Sequence, residues 1–246
     1  MKIFIINLKR SVERKEHMQG RIIKLFEQNP YLKEKLEFEF FEAVDAKNNE
    51  HLNFQKYFSS FGKWIFGREL SSSEKACFAS HFLLWQKCVE LNENIIILED
   101  DVEFSEEFIT NGGGCIESLE MSSYEFVRLY YTFDRKVYHL KENFYISFAQ
   151  INGMLGYFIK PSGAKKFLTL FSKWIFPVDV MIDRQNKVLN VAYKPFAVKP
   201  IVTPSTISQR TIKLNFLRKF LREIFRAYFN IKKSLLCFLY KAKFKL

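Results

Sequence analysis

Apolar and polar positions recur at two distinct periods along the chain, and the changes of period mark its elements. Ile3–Asn7 (IFIIN) is short, β-branched and apolar, and reads as a first strand. Ser11 stands where a helix N-cap would. It precedes a segment that carries Arg14, His17 and Met18 and runs through Ile22, Ile23 and Phe26, with Pro30 marking its end or the loop beyond. Leu36–Asp45 (LEFEFFEAVD) alternates and then turns apolar, which predicts a second strand ending near Val44. Residues 47–70 hold two glycines and no clean period, and are expected to form an irregular, partly helical loop.

The clearest helix comes next. Ser71 and Glu74 have capping-box spacing, Ala76, Ala79, Phe82, Leu83, Cys88 and Val89 recur near the helical period, and Asn92 ends the segment. Ile95–Leu98 (IIIL) predicts a strand buried on both faces, and FSEEFI opens a further helical piece. Asn111-Gly112-Gly113-Gly114 predicts a loop; it lacks the Gly-Lys-Ser/Thr of a phosphate-binding P-loop. Phe126–Tyr131, Phe144–Ala149 and Gly156–Lys160 predict three more strands, with Ser162 capping the helix that follows. Strands alternating with helices in the first half imply an α/β fold with a mainly parallel or mixed sheet covered on both faces.

The buried strand IIIL runs directly into Glu99, Asp100 and Asp101. In open α/β folds, ligands bind at the C-terminal edge of the sheet. Alternation along an extended chain sends Glu99 and Asp101 to one side and Asp100 to the other. Two carboxylates raised together at a crevice suit a hard dication such as Mg²⁺ or Mn²⁺, which would relieve their repulsion and leave positions open for phosphate oxygens. The plain alternative is a solvated acid cluster that caps the next helix.

Charge changes the picture only at the C-terminus. The net charge is +11, but Arg210–Leu246 holds eleven Lys and Arg against the single acid Glu223, so the preceding residues are almost neutral. Leu214, Leu217, Phe220, Leu221, Ile224, Phe225 and Tyr228 recur at three- and four-residue steps between Arg218, Lys219, Arg222 and Arg226, and SLLCFLYKAKFKL adds a second apolar-basic piece. Basic amphipathic helices of this kind lie on anionic membranes. The predicted division is residues 1–208 as the catalytic domain and 209–246 as a basic helical tail that attaches to an anionic membrane or packs on that domain. A nucleic-acid-binding protein is the alternative that the charge suggests, but no helix-turn-helix, finger or RNP pattern accompanies it. The four cysteines form no CxxC pair and show no zinc-site spacing with histidine. No apolar run approaches the ~20 residues of a membrane span. An intracellular, reduced protein, peripheral on a membrane through its tail, is the expectation.

Four stretches together resemble glycosyltransferase family 25, which includes bacterial lipooligosaccharide galactosyltransferases and collagen-modifying relatives. They are IINLKRSVERKEHM; FFEAVDA; LSSSEKACFASHFLLWQ through IIILEDDVEF; and GYFIKPSGAKKFL followed by FPVDVMID. The third is the most specific. Ala46 stands where the family favours Gly, Lys160 replaces a common Ser, and nothing after about residue 205 matches. The resemblance implies a GT-A-like nucleotide-binding fold, a UDP-sugar donor (often UDP-galactose), and transfer with inversion to a lipid-linked glycan. The bacterial branch is expected over the collagen-modifying one, for want of a secretory leader and an ER-retention ending.

Under that resemblance Asp101 and Glu99 become metal candidates, with Asp100 a donor contact. Asn7, Arg10, Arg14 and Asp45 would meet the nucleotide, and Gly153 and Gly156 the donor sugar. Asp179 is the first candidate for the base that deprotonates the acceptor, ahead of Asp183; His81 is a further catalytic candidate. Each has a structural alternative: solvated arginines, turn-forming or helix-start acids, strand glycines and a satisfied core histidine.

Overall fold

The computed structural model describes residues 1–201 and 215–244. Strand β1 (Lys2–Asn7) leads into helices α1 (Val12–Gln28) and α2 (Pro30–Lys35), then strand β2 (Glu37–Glu42). A 3₁₀ segment (Glu50–Tyr57) and a short helix α3 (Phe61–Phe66) fill the stretch expected to be irregular. Helix α4 (Ser72–Leu91) delivers the chain to β3 (Ile95–Glu99), followed by β4 (Val102–Phe104) and helix α5 (Glu106–Met121). Then come β5 (Phe126–Arg128), β6 (Val137–Lys141), β7 (Phe144–Ser147), β8 (Gly156–Ile159), α6 (Pro161–Leu170), α7 (Val178–Arg184), β9 (Val191–Tyr193), β10 (Val198–Pro200) and α8 (Phe216–Phe244).

Eight strands form one sheet in the order β2-β1-β3-β8-β5-β9-β7-β6, and β4 pairs with β10 apart from it. The β2-β1-β3 third is parallel, as the helix-strand alternation predicts. Antiparallel β8 then sits between β3 and β5, so the sheet as a whole is mixed. Side-chain alternation divides the core in two. Phe4, Ile95, Ile97, Phe126, Tyr157 and Ile159 face α4, α6 and α7. Ile3, Ile5, Ile96, Leu98, Val127 and Phe158 face α1, α2 and α5. Strand β3 is the spine of this three-layer arrangement, since both faces of its apolar run are covered.

Helix α4 forms where the pattern placed it, with the Ser71–Glu74 capping box made in both directions and Asn92 in the left-handed conformation at its end. It is buried on nearly all sides, so Ser80 and His81 lie inside the protein with the apolar residues. Three expectations are corrected. The Asn111–Gly114 stretch is inside α5, with only Asn111 off helical geometry. A Cβ at Gly112 would meet Leu32, and one at Gly113 would stand 2.6 Å from the Tyr31 ring. These glycines therefore serve the close approach of α5 to α2 and do not form a turn. Helix α6 begins at Lys160 with Pro161 in its first turn, not at Ser162. Pro30 likewise opens a new helix, α2.

The two C-terminal pieces are one continuous helix, α8. The boundary expected at 208/209 lies outside the described residues. One face of α8 packs on the body: Phe225 lies edge-on to Phe61, Tyr240 lies near Phe148, and the Cys237 thiol donates toward the Tyr138 hydroxyl at 3.7 Å. The opposite face, carrying Leu217, Ile224, Ile231 and Phe238 seven residues apart, is exposed.

Ile97 is fully enclosed between α4 and the sheet. Ile97→Ala is expected to cost about 3 kcal/mol of stability, read as a lower denaturant midpoint with an unchanged m-value.

Candidate functional site

Four segments converge at the C-terminal edge of the parallel strands: the end of β1, the turn after β3, the middle of α4, and the loop before β8 with the start of α7. Strand β3 ends at Glu99, and Asp100 and Asp101 lie in a turn. The turn sends the two aspartates to different partners. Asp100 is buried and accepts from Asn7 Nδ2 at 2.7 Å and from Arg14 Nη1 at 2.7 Å. Asn7 comes from the end of β1 and Arg14 from the first turns of α1, so this carboxylate ties three elements together. Arg10 pairs with Asp45 at 2.6 Å, and Asp45 also accepts from the Lys47 N–H. Burial pushes the Asp45 carboxyl up, but the hydrogen bonds from Arg10 and Lys47 outweigh it and hold the group below its ordinary range.

Asp101 has no such support. Its Oδ1 is buried without a partner among the described residues, and Arg14 approaches its other oxygen only to 3.8 Å. Burial first, and then the Glu99 charge, push its pKa up to about 6 against the pull of Arg14. The acid pair expected to share a side is thus present as two mutually repelling groups, with the nearby arginine spent on Asp100.

His81 lies on α4 below Glu99. Its Nδ1 is 3.0 Å from the Tyr157 hydroxyl, which also accepts from Trp85 Nε1 at 2.9 Å. The phenol oxygen can accept from both Trp85 Nε1 and His81 Nδ1, a tautomer that leaves the Nε2 lone pair free to ligate. That Nε2 is buried and unpartnered, 3.7 Å from Glu99 Oε1. One turn earlier on the same helix face is Cys77, and the Cys77, His81 and Glu99 ligand atoms all lie within 4.8 Å of one another. Burial and the surrounding carboxylates hold the Cys77 thiol well above its ordinary pKa. Cys77, His81 and Glu99 form a set of sulfur, nitrogen and oxygen donors with the His81 Nε2 orphaned, and the orphaned Asp101 Oδ1 belongs to the second acid of the turn that follows. That set fits a divalent cation. The Cys-x₃-His spacing on a strongly capped helix was the available signal for Cys77. That spacing matches no common zinc pattern, and it gains meaning only with Glu99 beside it.

A cavity of about 300 Å³ opens beside this cluster, lined by Glu74, Cys77, Glu99, Asn152, Met154 and Asp179 among others. Asp179, in the first turn of α7, is on its wall. One oxygen accepts from the Val180 N–H at 2.7 Å, and the other receives only a long 3.5 Å contact from the Gly153 N–H. Gly153 has φ +85°, a conformation that favours glycine, and a Cβ there would stand 2.8 Å from the Thr132 hydroxyl. Gly156 starts β8 against the Leu98 and Val198 side chains. Asp183 is in a different position. It is fully enclosed and bonded by Arg128 Nη2, Asn190 Nδ2 and the N–H groups of Ile151 and Asn152. Its work is to hold the loop before β8, which leaves no room for a role as acceptor base. The buried Arg128, which nothing in the sequence marked, is its counter-charge.

Fold and site together define an α/β protein of the Rossmann-like glycosyltransferase type, with an acid-lined cleft at the edge of its parallel strands. The chain belongs to glycosyltransferase family 25 (LPS biosynthesis protein), whose model matches residues 1–182. It is similar to a glycosyltransferase 25 family member of Drosophila pseudoobscura pseudoobscura, 31% identical over 212 residues, 78% of this chain and 32% of that protein. It is also similar to the lipooligosaccharide biosynthesis protein lic2B of Haemophilus influenzae, 26% identical over 186 residues, 74% of this chain and 59% of lic2B. Procollagen galactosyltransferase 2 of Mus musculus is 29% identical over 145 residues, 57% of this chain and 21% of that protein. The chain therefore spans between about a fifth and three fifths of these relatives' lengths.

The Asp101 pKa has a consequence for stability. The folded protein binds a proton there that the unfolded chain releases near pH 4, so stability falls as pH rises from about 4 to about 6 and stays lowered above that. In EDTA at pH 7.5, Asp101→Asn is expected to stabilise the protein by about 2 kcal/mol. The gain should vanish near pH 4. Thermal melts at the two pH values check this; equal effects at both would show that the raised pKa is not the cause.

Proposed function

We propose that this chain is an inverting glycosyltransferase that moves galactose from UDP-galactose to a lipooligosaccharide- or lipopolysaccharide-type glycan, with Mn²⁺ or Mg²⁺ as cofactor. The observation that carries the reading is the uncompensated Glu99–Asp101 pair beside the unpartnered His81 Nε2, at the sheet edge of a family 25 chain. When bound, a dication held by Glu99, Asp101 and His81 offsets negative charge on the departing diphosphate. The imidazole in that set favours Mn²⁺ over the more strictly oxygen-seeking Mg²⁺.

The chain's own residues do the rest. Asn7, Arg10, Arg14 and Asp45 form the donor wall. Asp100 positions Asn7 and Arg14, and Asp45 anchors Arg10, leaving guanidinium N–H groups to meet phosphate and nucleoside. Gly153 and Gly156 keep backbone near the donor sugar. Inverting transfer is one displacement: the acceptor oxygen bonds to the anomeric carbon as the bond to the diphosphate breaks. The electron pair leaves with UDP, and the hydroxyl proton goes to a base. Asp179 is that base, since it faces the cavity and one of its oxygens is nearly free. His81, fully enclosed and engaged by Tyr157, serves as a donor ligand and not as a base.

Residues 1–208 are the catalytic unit in this reading, and 209–246 the membrane-attachment segment. No helix among the described residues is long and apolar enough to cross a membrane. The exposed apolar stripe of α8, on a helix that carries a single acid, suits lying flat on an anionic surface. In this reading the enzyme works at the inner face of a bacterial inner membrane, with a lipid-linked acceptor within reach.

Asp179→Asn is expected to lower kcat by about 10²- to 10⁴-fold with little change in donor KM. A screen of UDP-Gal, UDP-Glc, UDP-GlcNAc and UDP-GalNAc with and without EDTA should show turnover of UDP-Gal that chelation abolishes and Mn²⁺ restores. Full activity in EDTA would remove the metal assignment. For the tail, flotation with phosphatidylglycerol-rich vesicles should recover the protein at low salt, each cation contributing about 1 kcal/mol. Ile224→Glu with Ile231→Glu should abolish recovery; unchanged flotation would mean that the stripe is not the contact.

A further inference from the structure

Helix α7 separates two cavities. Its start, with Asp179, walls the active-site cavity, and its end, with Asp183 and Arg184, walls a second cavity of about 350 Å³ closed on the far side by α8. Four cations line this second space: Arg184 from α7, and Arg226, Lys232 and Lys233 from α8. Among the described residues the only lining carboxylate is Asp183, which is consumed by Arg128, Asn190 and two backbone N–H groups. Glu223 offsets part of the Arg226 charge from the α8 surface.

Arg184 is the unusual member. Its guanidinium lies against Phe176 at 4.1 Å and Phe229 at 4.9 Å, with Phe66 at 5.7 Å. Its Nη1 is buried without a hydrogen-bond partner among the described residues. Burial, and then the Arg226 charge, hold its pKa below the ordinary arginine range. The aromatic faces fix the fork and shelter it from water, but they do not satisfy its N–H donors. A cation placed like this beside three others calls for a polyvalent anion with several acceptor oxygens.

We propose that the α7–α8 cavity binds a phosphate group carried by the acceptor, seated on Arg184 and enclosed by Arg226, Lys232 and Lys233. This rests on the glycosyltransferase reading and names a chemical class for its acceptor: a phosphorylated glycan or a glycolipid with a phosphorylated headgroup. Five residues of helix rise separate Asp179 from Arg184, about 7.5 Å. The site is distinct from the donor's diphosphate wall at Arg10 and Arg14, which belong to the β1–α1 side of the sheet.

The test measures binding, not turnover. Inorganic phosphate and a soluble sugar phosphate are titrated into the full-length protein by calorimetry, and vesicles containing phosphatidic acid are compared with phosphatidylglycerol vesicles of equal charge. The variants are Arg184→Gln and, as a surface change that spares the packing, Lys232→Ala with Lys233→Ala. Saturable binding of the soluble phosphates, weakened tenfold or more in both variants, supports the site and points to a phosphorylated glycan. A preference for phosphatidic acid, lost in both variants, supports it and points to a lipid headgroup. No soluble binding together with no vesicle preference would overturn it, as would binding that neither variant weakens. UDP-galactose hydrolysis, measured alongside, separates the two readings. Its retention in Lys232→Ala/Lys233→Ala with phosphate binding lost leaves the transferase standing and isolates the effect to this cavity. Its absence in every form would count against the transferase and leave the binding result to be judged alone.

Discussion

The Asp100 carboxylate decides how charge is distributed at the sheet edge. It is buried where β1, α1 and β3 meet, and it takes the Asn7 amide and one arm of Arg14. A buried carboxylate with two short, directional donors is satisfied; removal of Arg14 would leave its charge uncompensated, and removal of Asn7 would leave one oxygen without its donor. The same bond has a cost one residue later. Arg14 is held 3.8 Å from Asp101, too far to hydrogen-bond it, so Asp101 stays desolvated beside Glu99 and its pKa rises. Stability is obtained at one aspartate and withheld at its neighbour. Strain of this kind persists where the surrounding fold over-determines it and a ligand is there to relieve it.

The fold supplies that over-determination. β3 is hydrogen-bonded on both sides, to β1 in parallel and to β8 in antiparallel register, and both its faces are packed. Its C-terminus therefore cannot shift to separate the acids. Helix α4 is fixed at its start by the reciprocal cap and along its length by the aromatic cluster of Phe78, Trp85 and Trp174. Cys77 and His81 are thereby held beneath Glu99 by packing and not by any attraction to it. On the other side, Asp183 and Arg128 clamp the loop that presents Asn152 and Gly153 to the cavity. A rigid first layer supported by a buried second layer is what a site for a charged ligand requires.

Much of this was legible in the residues. The IIIL run, the Ser71–Glu74 cap and Asn92 each carry local physics strong enough to survive any tertiary context. The first three strands followed from them. The glycine triplet was misread because a glycine run signals a turn only when nothing crowds it, and the proximity of Tyr31 to Gly113 is a fact of folding. The fate of Asp183 was hidden for the same reason. Its counter-charge Arg128 comes from a distant strand, and an acid four residues after another on a short helix looks equally available. Cys77 was visible as Cys-x₃-His, but its meaning depends on Glu99, which arrives from another element.

Helix α8 shows how one sequence pattern can serve two surfaces. The face that packs on the body uses Phe225 and Phe229, aromatic residues that meet α3 and Arg184. The outward face repeats Leu217, Ile224, Ile231 and Phe238 at seven residues, a spacing that also suits a coiled coil. Charge separates the two possibilities. A self-associated pair of such helices would bring two strongly basic segments together with one glutamate each to answer them, and like charge opposes pairing. An anionic lipid surface meets the same cations with opposite charge and accepts the apolar stripe without demanding a matched partner. The charge pattern therefore favours a membrane over a second copy. The body-facing side of the same helix closes the cationic cavity against α7, so α8 presents charge inward and an apolar stripe outward.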